Sequence, residues 1–115
     1  MQFTTEEFGD VSDIDANDLV RVLDEDAFGS FAVLSSSDDD FIQAGNHWAP
    51  GEACEAFLAR HDSDPWILEY RDSRTGKQYQ ATRDVTLAEA KQAFLSYLRG
   101  SSDWRRQFEW SEIDV

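Results

Sequence analysis

A chain of 115 residues with 41% apolar and 13% aromatic content can bury a core without disulfides or metals, which excludes a disordered chain and predicts one domain over 1–115. Its one cysteine, Cys54, excludes an internal disulfide, and no apolar run approaches the ~20 residues needed to span a bilayer. A net charge of −14 repels nucleic acid and anionic membranes and attracts basic proteins.

The opening stretch "MQFTTEEF" reads as a short strand or an ordered arm. It has neither a positive leader nor an apolar core region, so no signal peptide is expected and the cytoplasm is the expected location. "DANDLVRVLDED" predicts a helix with Leu19, Val20, Val22 and Leu23 on one side and Asp15 or Asn17 as cap. Acids at its far end oppose the helix dipole, so the helix should stop near Asp24, ahead of Gly29.

The runs 31–34 and 41–44 are β-competent and flank the turn material "SSSDDD", which predicts a hairpin. Ala53, Ala56, Phe57 and Ala59 fit a helix over 51–60, bounded by Pro50 and Asp64-Pro65. "PWILEYRD" alternates Trp66, Leu68 and Tyr70 with Ile67, Glu69 and Arg71, a strand with one apolar face. "SRTGK" supplies the turn, with Gly76 at positive φ, and "KQYQATRDV" returns.

Thr86 and Glu89 form a capping-box pattern at the start of a helix whose apolar face is Leu87, Ala90, Phe94, Leu95 and Leu98. Gly100 sits where a left-handed terminator belongs. "SSDWRRQFEW" adds a cap at Ser102 or Asp103 and a short helical turn, with Trp104, Phe108 and Trp110 as anchors. The sum is an α+β fold: an antiparallel sheet of four or more strands built from hairpins, with two to three helices packed on one face. Trp66 and Trp104 are expected in the core. Trp48 and Trp110 are open to either a core or an interface role.

Charge is distributed unevenly. Residues 1–64 hold sixteen acids against two cations, whereas 65–115 hold eight of each. The cations Arg71, Arg74, Lys77 and Arg83 therefore lie in an electrically balanced half, where a hairpin can use cross-strand pairs. The first half is a strong anion.

Three chemical patterns compete with a binding role. Asp13, Asp15 and Asn17 start like a calcium loop, but Asp18 stands where the turn needs glycine and Asp24 where a bidentate glutamate belongs, so helix capping is the better account. His47, Cys54 and His61 match no zinc spacing, although a small metal-dependent enzyme would have to use them. No nucleophile elbow, phosphate loop or zinc-protease motif occurs, and carboxylates are too abundant for any pair to stand out as acid and base.

The succession "FAVLSSSDDDFIQAG", "WILEYRDSRTGKQYQA" and "TLAEAKQAFLSYLRGSSDWRRQFEW" is similar to small acidic immunity proteins of bacterial polymorphic toxin and contact-dependent inhibition systems. That resemblance implies a non-enzymatic protein, without cofactor, that binds a cognate toxin domain and blocks its active site or an essential surface. Many such toxins are basic nucleases, which suits an acidic partner. The expected contact residues are Asp13, Asp15, Asp18, Asp24, Glu25, Asp26, Asp38, Asp39 and Asp40, with Trp48 as aromatic anchor. A mimic of DNA, or a salt-adapted domain of unrelated function, would share the same composition, since Asp outnumbers Glu and Arg outnumbers Lys.

Overall fold

The structure, a computed structural model, describes residues 1–24, 31–37, 40–46, 56, 59–60 and 65–113. Within them the elements run β1 (Gln2–Thr5), β2 (Gly9–Ser12), α1 (Ala16–Asp24), β3 (Phe31–Ser37), β4 (Asp40–Asn46), β5 (Trp66–Asp72), β6 (Lys77–Ala81), α2 (Leu87–Leu98), α3 (Asp103–Arg106) and β7 (Trp110–Ile113). The seven strands form one sheet in the order β2-β1-β3-β4-β5-β6-β7, every neighbouring pair antiparallel. The expectation of an α+β fold on an antiparallel sheet holds, with three helices among the described residues.

Strand alternation decides which side chains reach the core. On β5, Trp66, Leu68, Tyr70 and Asp72 are buried while Ile67, Glu69 and Arg71 are half-buried. Register carries one apolar row across the sheet: buried Phe3 opposite Leu34, Leu34 opposite Ile42, Ile42 opposite Tyr70, and Tyr70 opposite half-buried Tyr79. The helices cover this row. Phe94 of α2 meets Phe3 edge-on at 6.2 Å, and Leu19 and Leu23 of α1 join the same core. Trp66 and Trp104 are 1% and 2% exposed, the core positions expected of them.

α2 is fixed at both ends by its sequence. The Thr86 hydroxyl accepts from the Glu89 N–H, and the Glu89 carboxylate accepts from the Thr86 N–H, closing the capping box. At the other end Gly100 adopts φ 76° while its N–H donates to the Tyr97 carbonyl and the Ser101 N–H to the Ser96 carbonyl. This is the double closure that a left-handed residue after a helix permits. The buried face is Ala90, Ala93, Phe94, Leu95 and Tyr97, so Leu87 and Leu98 sit at its margins rather than at its centre.

The structure differs from the sequence reading at three places. The opening strand continues into a hairpin: Glu6–Phe8 turn, Gly9 takes φ 66°, and β2 pairs back on β1. After α3, the expected short helical turn, the chain enters an edge strand that the sequence reading did not include, and Trp110 begins β7 beside β6. Ser102 holds the cap position of α3 but makes no capping bond with its side chain; the Ser101 hydroxyl accepts from the Asp103 N–H instead. The helix expected over 51–60 falls almost wholly outside the described residues.

Candidate protein interface

The amino-terminal acids lie on the β1–β2 hairpin at one margin of the sheet and on the segment that follows it into α1. Glu6 and Glu7 occupy the β1–β2 turn, Asp10 lies on the outermost strand, Asp13 and Asp15 follow it, and Asp18 sits in the first turn of α1; all six are exposed. Over 1–24 the only cation is Arg21, and its guanidinium is 3.2 Å from Asp18. Two apolar side chains stand among these acids, Phe8 at 48% exposure and Val11 at 36%.

Several of these acids also shape the backbone. The Asp15 carboxylate accepts from the Asp18 N–H at 2.8 Å, capping α1 as the sequence predicts. Asp13 adopts φ 55°, a left-handed conformation that aspartate tolerates better than most residues, and its N–H donates to the Met1 carbonyl. The Thr4 hydroxyl donates to Asp10 across the β1–β2 ladder. Ile14 drops into the core between them, which holds the connection against the body of the fold.

Asp40 occupies a different neighbourhood, at the end of the sheet where β3 turns into β4. Its carboxylate accepts from the Tyr97 hydroxyl at 2.5 Å and from the Ser73 N–H and hydroxyl at 3.3 and 3.1 Å, and the Ser36 and Tyr97 hydroxyls lie 3.2 Å apart. Partial burial pushes the Asp40 carboxyl up, but these hydrogen bonds outweigh it and hold the group below its ordinary value. Burial, reinforced by the bond to Asp40, pushes the Tyr97 phenol up to about 12. Neither group titrates near neutral pH, where acid–base catalysis needs it. The arrangement is a clasp joining two turns to α2.

Beside the clasp lies a cleft of about 240 Å³ whose lining includes Ser36, Asp40, Arg74, Tyr97, Trp104 and Arg105. Buried Asp72 organises its cationic wall. It accepts from the Arg74 N–H at 2.9 Å and lies 3.4 Å from the Arg105 guanidinium, which in turn rests over the rings of Tyr70 and Trp104 at 5.0 and 5.1 Å. Two further cations of the second half also face acids: Lys77 is 3.6 Å from Glu112 and Arg83 2.6 Å from Glu89. The Arg74 guanidinium lies 3.6 Å from Asp72, so internal pairing accounts for Arg74, Lys77 and Arg83 of the 69–84 stretch, whereas the sequence over 1–24 holds one cation against its acids.

The expected contact residues therefore divide. Asp13 follows the margin strand β2, Asp15 and Asp18 stand at the start of α1, and Asp24 ends it. Asp40 lies apart in the clasp, its carboxylate already engaged. Glu25, Asp26, Asp38, Asp39 and Trp48 lie outside the described residues, as do His47, Cys54 and His61. Among the described residues no group of three or more His, Cys, Asp or Glu could hold a metal ion, and no helix is long and apolar enough to cross a membrane. Trp110 is half-buried, with its indole N–H donating to the Arg105 carbonyl and its ring edge-on to Tyr70 at 4.7 Å, so its bulk serves the aromatic cluster. The sequence reading passed over Glu6, Glu7 and Asp10 because β2 was not recognised as a strand. Comparison with family models, with curated proteins and with solved structures finds no match.

Proposed function

We propose that this chain is a non-enzymatic protein-binding module that recognises a basic protein, and that its biological role is that of a bacterial immunity protein neutralising a cognate toxin, such as a nuclease domain, in the cytoplasm. The observation that carries the reading is the run of exposed acids from Glu6 to Asp18, which starts on the hairpin at one sheet margin and continues into α1, in a stretch of sequence whose one cation, Arg21, is paired with Asp18. A toxin that cleaves nucleic acid must attract phosphate, so a carboxylate-rich surface competes for the same field. Phe8 and Val11 supply exposed apolar surface within the charged margin, and aromatic anchors are what such interfaces use for affinity.

The test is capture from a panel of basic nucleases, followed by binding kinetics at low and high salt. Association should be fast and should slow about tenfold or more when Glu6, Glu7, Asp10 and Asp13 are changed to their amides. Partner binding that ignores both salt and these substitutions would defeat the proposal. The salt-adapted alternative, favoured by the Asp and Arg bias of the composition, is separated by folding stability: such a domain unfolds when salt is withdrawn.

A further inference from the structure

The outermost strand of the acidic margin has one side with no described strand beside it. Asp13 donates its N–H to Met1, so the pairs two and four residues back, Val11 with Phe3 and Gly9 with Thr5, are the hydrogen-bonded pairs of the β1–β2 ladder. Alternation then turns the N–H and C=O groups of Asp10 and Ser12 away from β1, toward the open margin. No described strand lies there, and all four residues of β2 are exposed.

We infer that β2 is a docking edge that accepts an extended, basic segment of a partner protein as an eighth strand, in antiparallel register through Asp10 and Ser12. The inference rests on the acidic-margin reading above and adds the backbone geometry of the contact. Three observations select this occupant. First, the outward main-chain groups come in the two matched pairs that an antiparallel neighbour needs. Second, the side chains give the arriving strand a pattern. Residues opposite Asp10 and Ser12 project beside the Asp10 carboxylate, whereas the one between them projects beside Val11, next to the buried Phe3. The partner segment therefore alternates Lys or Arg with an apolar residue. Its flanks meet Glu6 and Glu7 at one end and Asp13 at the other.

Third, charge disfavours the commonest competing occupant. A second copy pairing β2 on β2 would set this row of acids against itself. The opposite margin, β7, lacks the pattern, since its Glu112 is paired with Lys77 and its Trp110 is half-buried among aromatic rings.

The probe is a capped peptide of about six residues alternating lysine and valine, compared with the same peptide N-methylated on its lysines, which keeps the charge and removes the donors. Binding is read by calorimetry, and amide exchange by NMR. The unmodified peptide should bind and slow exchange at Asp10 and Ser12 about tenfold or more. N-methylation, or Ser12→Pro in the protein, should weaken binding about tenfold. No binding of the unmodified peptide overturns the inference, as does a protein that dimerises through β2 on its own. Equal binding of both peptides, with unchanged exchange at Asp10 and Ser12, also overturns strand addition while leaving the acidic-margin reading intact. That reading itself fails if peptide binding is indifferent to salt and to Glu7→Gln with Asp13→Asn.

Discussion

The Tyr97 hydroxyl donates to the Asp40 carboxylate across a sequence separation of 57 residues, tying the middle of the chain to α2 at one end of the sheet. Asp40 also accepts from Ser73, so one side chain links the β3–β4 turn, the β5–β6 turn and the helix. Tyr97→Phe removes the donor while keeping the ring that packs against Trp104 at 6.0 Å. The expected loss is about 1–2 kcal/mol, read by chemical denaturation. Asp40→Asn should cost at least as much, because it weakens three hydrogen bonds together.

The clasp also sets a pH dependence at both extremes. Asp40 titrates below its ordinary value when folded, so its contribution is present above pH 3.8 and is lost as pH falls through the lower, folded value. Tyr97 is shifted the other way: the fold favours its protonated form, so that contribution is complete below pH 10.0 and disappears as pH rises through about 12. Thermal melts across pH should show the alkaline decline in the parent and a shallower one in Tyr97→Phe.

Trp104 is buried between Tyr70, Tyr97 and Trp110, with ring centroids at 4.8, 6.0 and 5.8 Å. Trp104→Ala should cost about 3–5 kcal/mol, a large share of the stability of a domain this size. Near-ultraviolet circular dichroism should collapse, and Arg105 should lose one of the two rings that hold its guanidinium.

Thr86→Ala opens the capping box and should cost about 1 kcal/mol with no effect on partner binding, because Thr86 is uncharged and its hydroxyl serves the Glu89 N–H. Glu89→Gln leaves a side chain able to accept from the Thr86 N–H but ends the pairing with Arg83. Its smaller loss, about 0.5 kcal/mol, should vanish in high salt, since both partners are partly exposed.

Gly76 carries the β5–β6 turn at φ 68°, where its N–H donates to the Asp72 carbonyl at 2.8 Å. A Cβ there would meet nothing within 4 Å, so the cost of Gly76→Ala is conformational alone, about 1 kcal/mol. Urea midpoints of the two proteins provide the check, with unchanged m-values expected.

What could be read from the sequence was whatever is encoded locally. The Thr86–Glu89 box, the period-3.6 face of α2 and the alternation on β5 each lie within a few residues, and each element is where that pattern puts it. β2 escaped because Gly9-Asp10-Val11-Ser12 offers one apolar residue and no alternation; its strand character comes from pairing with β1. β7 escaped for the same reason, since "WSEI" follows a helical turn and becomes a strand only by lying along β6. Asp40 read as one more solvated turn acid, and only contacts with Ser73 and Tyr97, far away in sequence, distinguish it from its neighbours.

The meander has a kinetic consequence. Apart from β1 beside β3, every ladder joins strands adjacent in the chain, and the β1–β2, β3–β4 and β5–β6 hairpins can form from short closures before the rest of the sheet. The β5–β6 turn, preset by Asp72 and Gly76, is the natural nucleus, while the β6–β7 closure, which must bridge the connection from Ala81 to Trp110 that carries α2 and α3, should be the slowest zipping step.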